Sequence, residues 1–303
     1  MKIGTSRFTQ WLYYFFVIAG AIWLAFQFLP DRWKPESLKP VERKPAPSAV
    51  TILIFGIDAG NDTKRSDSII VARLDVKRGH LGVLSIPRDT YVFVDGQGYT
   101  KINHSYMVGD NRLLVKTVSE FLGIPIDFVV KFGLTGVVRF VDAIGGVSID
   151  VPKAMNYDDN AGDLHIHIKK GYQKLDGHQA LQFMRFRHDE GGDISRIRRQ
   201  QEFLTASLNQ VMTQYPPQKV YELLVSLSEY VYFDFSKKDV ALYFPHLVHI
   251  LNSGKVDLAI IPGVSEKKDG VYYWMTSDAE KARVVTDVLY GGDSNLAPER
   301  LEY

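Results

Sequence analysis

The sequence predicts a single α/β domain with a mixed central sheet covered by helices, preceded by one transmembrane helix. Three observations predict it. A 19-residue apolar run lies near the N-terminus, short β-branched and aromatic runs separated by turn-like residues begin at position 50, and amphipathic helical periodicity alternates with those runs. The chain has 303 residues, 46% of them hydrophobic and 23% charged, which is enough for a substantial core.

The apolar run, residues 11–29, has Gln27 as its only strongly polar side chain, and ten of its residues are Leu, Ile, Val or Phe. At ~1.5 Å per residue it reaches roughly 28 Å, close to the hydrocarbon thickness of a bilayer. It is longer than the apolar region of a cleavable signal peptide and lacks a small-x-small site, so an uncleaved signal anchor is expected, with residues 1–10 as a cytoplasmic tail. Two basic residues precede the span, and five follow it by position 44, which alone would turn the following domain inward. Against that count, a long domain without Cys suits an oxidising exterior. Residues 30–49 contain five prolines and read as a semi-extended linker.

From Val50 the strands are VTILIF (50–55), SIIVARLDV (68–76), LGVLSI (81–86), TYVFV (90–94), DFVVKF (127–132), GVSIDV (146–151) and VDLAII (256–261). Helices are predicted over 111–123, ended by Gly123, and over 194–213, 217–228, 237–252 and 277–290. Residues 50–303 are thus read as one domain.

Composition excludes several chemistries. With no Cys there is no disulfide scaffold, Cys-ligated zinc, iron–sulfur cluster or Cys nucleophile. Nucleophile-elbow, Walker, H-E-x-x-H and dinucleotide-binding motifs are all missing. The net charge is +1, but residues 1–44 hold seven Lys/Arg against three acids, leaving 29 basic and 32 acidic residues beyond them. The domain is mildly acidic, so no nucleic-acid partner is expected, and any anion site must be a local cluster. His165 and His167 alternate on a possible strand; two imidazoles without a third ligand read as surface residues, as do His246 and His249.

One such cluster exists. Arg185 and Arg187 flank Phe186, and an extended segment would point both to one side. If a helix capped by Asp193 or Ser195 begins here, then Arg196, Arg199, Gln200 and Phe203 share a face near its N-terminus. Guanidinium forks and N-terminal amides both favour phosphate oxygens, although a salt-bridged surface with Asp189, Glu190 and Asp193 fits the same residues. Asp58 ends the first strand and Asp67 precedes the second; they suit either turns or a Mg²⁺ ion, which needs few protein ligands. Arg88, Asp89 and Lys101 lie at strand junctions.

The ordered blocks GID (56–58), RSDS (65–68), SIPRDTYV (85–92), KINHSY (101–106), VDAIGGV (141–147), LDGHQALQFMRFR (175–187) and GDISRIRRQQEFL (192–204) resemble the LytR-CpsA-Psr family of membrane-anchored bacterial cell-wall proteins. The resemblance implies an α/β/α fold, a short cytoplasmic tail, a single span and an external domain at the cell membrane. It also implies a Mg²⁺-dependent phosphotransferase that moves a glycopolymer from a polyprenyl-pyrophosphate carrier onto peptidoglycan. By position, Asp58 and Asp67 would hold the metal, while Arg65, Arg88, Arg185, Arg187 and Arg196, with Gln200, would bind pyrophosphate; Lys101 and Arg199 are candidates beside them. Asp89 or Asp193 would act as a base or orient an arginine. The loop between Asp58 and Asp67 is shorter than is common in the family, and Ile194-Ser195 stand where an aromatic–Gly pair is common. A binding protein for the lipid-linked precursor and a pyrophosphate hydrolase are the competing readings.

Overall fold

The computed structural model describes residues 48–58, 65–160, 164–186, 192–253 and 255–295. In chain order, the first half contains β1 (Ala49–Asp58), β2 (Arg65–Asp75), β3 (His80–Ile86), β4 (Tyr91–Val94), β5 (Gly98–Lys101), α1 (His104–Leu122), β6 (Phe128–Gly133) and α2 (Leu134–Ala143). Next come β7 (Val147–Val151), β8 (Met155–Asp159), β9 (Leu164–Ile168), β10 (Gly171–Leu175), α3 (Gly177–Arg185), α4 (Gly192–Gln214) and α5 (Pro217–Ser226). The chain closes with β11 (Val231–Phe233), α6 (Lys237–Ser253), β12 (Val256–Ile260), β13 (Val264–Lys268), β14 (Val271–Met275) and α7 (Asp278–Val284), which runs on as a π-helical turn, Val285–Leu289.

Six strands form the main sheet in the order β11-β6-β1-β2-β3-β12. β2 runs antiparallel to β1 and β3, whereas β6 pairs with β1, and β12 with β3, in parallel. The sheet is mixed, as predicted. Its strands read as near-continuous apolar runs because both faces are covered. On one face, Leu53, Phe55, Ile69, Val71, Leu84 and Ile86 pack against Leu114, Val118 and Leu122 of α1 and against the π-helical turn. The alternate residues, among them Val50, Ile70, Ala72, Leu74, Leu81 and Val83, face Ile250 and Leu247 of α6 and Leu204 of α4. Helix, sheet and helix therefore form three layers.

Two helix boundaries have clear local causes. The predicted start of α1 at position 111 marks a real break: Asp110 has φ 58° and ψ −153°, and its Oδ1 accepts from the Arg112 amide at 2.9 Å, opening a second helical segment after a short first one. Gly123 ends that helix at φ 69°, a left-handed conformation that glycine adopts without a Cβ penalty.

The transmembrane helix in the predicted fold is corrected. Among the described residues no helix is long and apolar enough to cross a membrane. The longest, α4, places Arg196, Arg198, Arg199 and Glu202 in its first half, and each charge near the centre of a spanning helix costs about 2.5–3.5 kcal/mol. Residues 11–29, on which the expectation rested, lie outside the described residues, as do 1–10 and 30–47. The single-pass anchoring and extracytoplasmic placement built on that helix go with it.

Candidate active site

Between the sheet and helices α4, α5 and α6 lies a cavity of about 730 Å³. Its walls are mostly aliphatic and aromatic: Ile52, Ile54, Ile70 and Val83 from the sheet, with Leu208, Leu224 and Phe244 from the helices. Close-packed interiors leave voids little larger than a water molecule. An apolar space of this size belongs to the range of ligand pockets. It runs along β1 from Val50 to Ile57, a rise of seven steps that at ~3.3 Å each extends roughly 23 Å.

One end of the cavity is polar. Gly56, Ile57 and Ser68 line it, together with Arg88 after β3, Gly133 at the end of β6, Arg185 at the end of α3, and Arg196 and Gln200 in the first three turns of α4. β1, β3 and β6 all finish at this end, so the charged groups stand outside the carboxyl ends of strands, where open α/β sheets bind ligands. Arg88, Arg185 and Arg196 come from three separate segments: the turn after β3, the end of α3 and the start of α4. Arg196 is 2% exposed. A guanidinium so buried, in an acidic domain, is suited to a polyanion whose oxygens take the place of hydrating water.

Arg185 reaches this position by an unexpected route. The segment around it was expected to be extended, but Arg185 ends helix α3 and only Phe186 is extended (φ −60°, ψ 132°). The helix is opened by a capping box, in which the Asp176 carboxylate accepts from the Gln179 amide and the Gln179 side chain accepts from the Asp176 amide. The D-x-x-Q pattern at 176–179 was the signal available in the sequence. Likewise, neither Asp193 nor Ser195 caps α4, which begins at Gly192 and contains both in its first turn.

The remaining predicted residues are distributed as follows. Lys101 does not line the cavity; its ammonium pairs with Asp89 at 2.8 Å, and Asp89 stands 4.0 Å from the Arg88 Nε. Arg199 also lies off the cavity, with its guanidinium donating to the Phe186 carbonyl and lying 5.4 Å from the Phe186 ring centroid. For Asp58 and Arg65 the backbone is described and the two residues pair across β1 and β2; Asp67 is the extra residue at a bulge where the register shifts beside Gly56 and Ile57. Bulges re-aim side chains and recur beside active sites. The side chains of Asp58, Arg65, Asp67 and Asp193, and all of Arg187, lie outside the described residues. Among the described residues no group of three or more His, Asp or Glu is placed to hold a metal. Two carboxylates at the ends of adjacent strands remain a donor set that suits Mg²⁺, whose other ligands are waters and substrate oxygens.

Sequence reasoning passed over Tyr157 and Asp159, which the β8–β9 hairpin brings to the cavity, and Ser207 on α4. The alternation of Met155, buried in the second core, with Asn156 and Tyr157 was the available cue. His165 and His167 lie on β9 with both rings on the Asp158 carboxylate, at 2.7 and 3.1 Å, as exposed surface residues.

A mixed α/β/α sandwich with an apolar cavity and an arginine-lined mouth defines a protein built for an amphiphile with an anionic head. The profile of the LytR_cpsA_psr family matches residues 32–288, and the chain belongs to that family. It is 31% identical to a polyisoprenyl-teichoic acid–peptidoglycan teichoic acid transferase TagU of Oceanobacillus iheyensis, over 86% of this chain and 80% of the relative. A TagU of Bacillus mycoides is 33% identical over 77% of this chain and 75% of its own. Among solved structures, B. subtilis TagV superposes with a TM-score of 0.67 at 30% identity, over 80% of this chain and 98% of that one. A structure of TagT bound to LI-WTA gives 0.65 at 28% identity, over 82% and 93%.

Proposed function

We propose that this chain is a transferase that moves a glycopolymer of the teichoic-acid type from a polyprenyl-pyrophosphate carrier to peptidoglycan. The observation that carries the reading is one continuous cavity with a hydrocarbon-lined interior and Arg88, Arg185, Arg196 and Gln200 at its mouth. The relatives, named as teichoic acid transferases, support the same chemistry.

In the reaction, a hydroxyl oxygen of the acceptor forms a bond to the phosphorus carried by the glycopolymer. The bridging P–O bond to the polyprenyl phosphate breaks, the electron pair leaves with that phosphate, and the hydroxyl proton passes to solvent. The new linkage is a phosphodiester. The pyrophosphate is a polyanion that repels an oxygen nucleophile, so neutralising its charge is the main catalytic task. Arg88, Arg185 and Arg196 serve that task with forks matched to phosphate oxygens, and the Gln200 amide adds donors. The carrier's hydrocarbon is held by burial in the cavity, contributing ~0.8 kcal/mol per CH₂. Asp89, bonded to Lys101 and beside Arg88, acts as a positioning residue that fixes both cations. Asp58 and Asp67 would hold Mg²⁺, which when bound supplies further positive charge to the pyrophosphate oxygens. Arg65 and Arg187 belong to the same anion site in this reading.

The test is reconstitution of the purified full-length chain with a polyprenyl-pyrophosphate glycopolymer and uncrosslinked peptidoglycan. Ligated glycopolymer and free polyprenyl phosphate, formed in equal amounts and lost on chelation with EDTA, are expected. Polyprenyl phosphate released without ligation identifies a hydrolase, and bound but unconsumed substrate identifies a binding protein; either outcome overturns the proposal.

A further inference from the structure

Outside the cavity the most unusual surface is a row of aromatic rings on the β4–β5 hairpin. Tyr91 and Phe93 are two residues apart on β4 and share a face, and Tyr99 on β5 stands opposite Phe93 in the register. The rings touch in sequence. Phe93 meets Tyr99 at a centroid distance of 5.5 Å, Tyr99 stacks on Tyr91 at 5.2 Å, and Tyr91 meets Tyr273 of β14 at 5.0 Å. The hairpin β13–β14 is held beside this row by a backbone bridge between Thr90 and Trp274 and by the Trp274 amide donating to the Asp89 carbonyl. Phe93 is 54% exposed and Tyr99 64%. Single exposed aromatics are ordinary, but a contiguous row of them marks a recognition surface.

Ammonium groups border the row. Lys268 lies 4.6 Å from the Tyr91 ring centroid and donates to its hydroxyl at 2.7 Å, and Lys101 lies 5.8 Å from the Tyr273 centroid. Lys101 is also the partner of Asp89, next to the cavity-lining Arg88. The row therefore begins in open solvent at Phe93 and is connected, through Lys101 and Asp89, to Arg88 at the cavity.

We propose that this row is the acceptor subsite, where the sugar rings of a peptidoglycan glycan strand lie before one of their hydroxyls is phosphorylated. The inference rests on the transferase reading and names where its second substrate binds. The C–H face of a pyranose is apolar and stacks on aromatic faces, while its hydroxyls stay in water or bond to the rims. Tyr and Phe present such faces with only two side-chain torsions to order, and here each ring is already held by its neighbour. Carboxylates borne by the strand complement Lys268 and Lys101. Continuity with Asp89 and Arg88 delivers the far end of a bound strand to the head group, as an attack on phosphorus from outside the cavity requires.

Direct binding of soluble glycan strands to the full-length chain, alongside binding of polyprenyl phosphate, tests the subsite. Phe93→Ala/Tyr99→Ala should weaken strand binding about tenfold or more, from two lost stacking contacts, and leave polyprenyl phosphate binding unchanged. Phe93→Tyr/Tyr99→Phe should restore it. Strand binding equal to wild type in the double-alanine variant overturns the inference, as does a row that binds phosphatidylglycerol vesicles in place of strands. Because strand binding is read without turnover, a wild type that binds strands but never transfers counts against the transferase reading and not against the row.

Discussion

In the proposed anion site, Arg185 and Arg196 are each expected to act through the guanidinium fork as well as its charge. Hydrogen bonds to charged groups contribute about 1.5–3 kcal/mol, so Arg185→Lys or Arg196→Lys should weaken polyprenyl phosphate binding by about ten- to a hundredfold. Binding of the uncharged polyprenol should stay the same, because a lysine preserves the cavity wall; equal weakening of both ligands would show that these residues shape the cavity only. A second prediction concerns Glu202 on the same helix. Burial, and then the Asp150 carboxylate, push its pKa above the usual glutamate range, with Arg199 opposing them. A raised carboxyl pKa means that ionisation disfavours the fold, a penalty absent below the ordinary value of ~4.3 and growing as pH rises past it. Glu202→Gln should therefore raise the melting temperature at pH 7 and lose that advantage at pH 4. Arg88, Arg185, Arg196 and Gln200 were legible as candidates from the sequence blocks that resemble the family, and the structure brings all four to one end of the cavity. The separation of Arg199 from them was not, since Arg196 and Arg199 share a helical face and it is the carbonyl and ring of Phe186 that engage the second one.

Among the elements, the central strands were legible because both of their faces are buried and their runs are uninterrupted. The hairpin β13–β14 was not, because every residue of β13 is exposed and no buried alternation marks it; of β8–β9 only a possible strand at His165 and His167 was. Helix α3 was overlooked although its capping box is plain and Gly177, Ala180 and Phe183 mark its buried face, because nine residues leave that spacing little room to repeat. The packing of this helix on α2 depends on a close backbone approach. A Cβ on Gly177 would meet the Val138 carbonyl oxygen at 2.3 Å, and the Gly177 amide already donates to Asp142 at 2.8 Å. Gly177→Ala should cost about 1–3 kcal/mol of stability and, by displacing α3, weaken head-group binding through Arg185. Denaturant unfolding measures the first effect, and unchanged stability would show that the helices part without strain.

For the whole molecule, the cavity is the feature that no local pattern announces. Its lining comes from four strands of the main sheet and five helices, and only the pairing order brings Ile54, Ala72, Val83 and Phe132 onto one wall. Ala72 is a small residue on that wall, so Ala72→Phe should fill the space while the sheet stays intact. Polyprenol and polyprenyl phosphate should both bind more weakly to this variant, with the melting temperature held or raised. The arrangement as a whole makes one claim, that a lipid tail lies along β1 with its phosphate among the three arginines. A crystal structure of the full-length chain with a polyprenyl-pyrophosphate glycopolymer tests it most directly. The account predicts hydrocarbon density running from Ile57 towards Val50 and phosphate oxygens within hydrogen-bond distance of Arg88, Arg185 and Arg196. Hydrocarbon bound elsewhere, or phosphates away from these guanidiniums with the cavity unfilled, would contradict it.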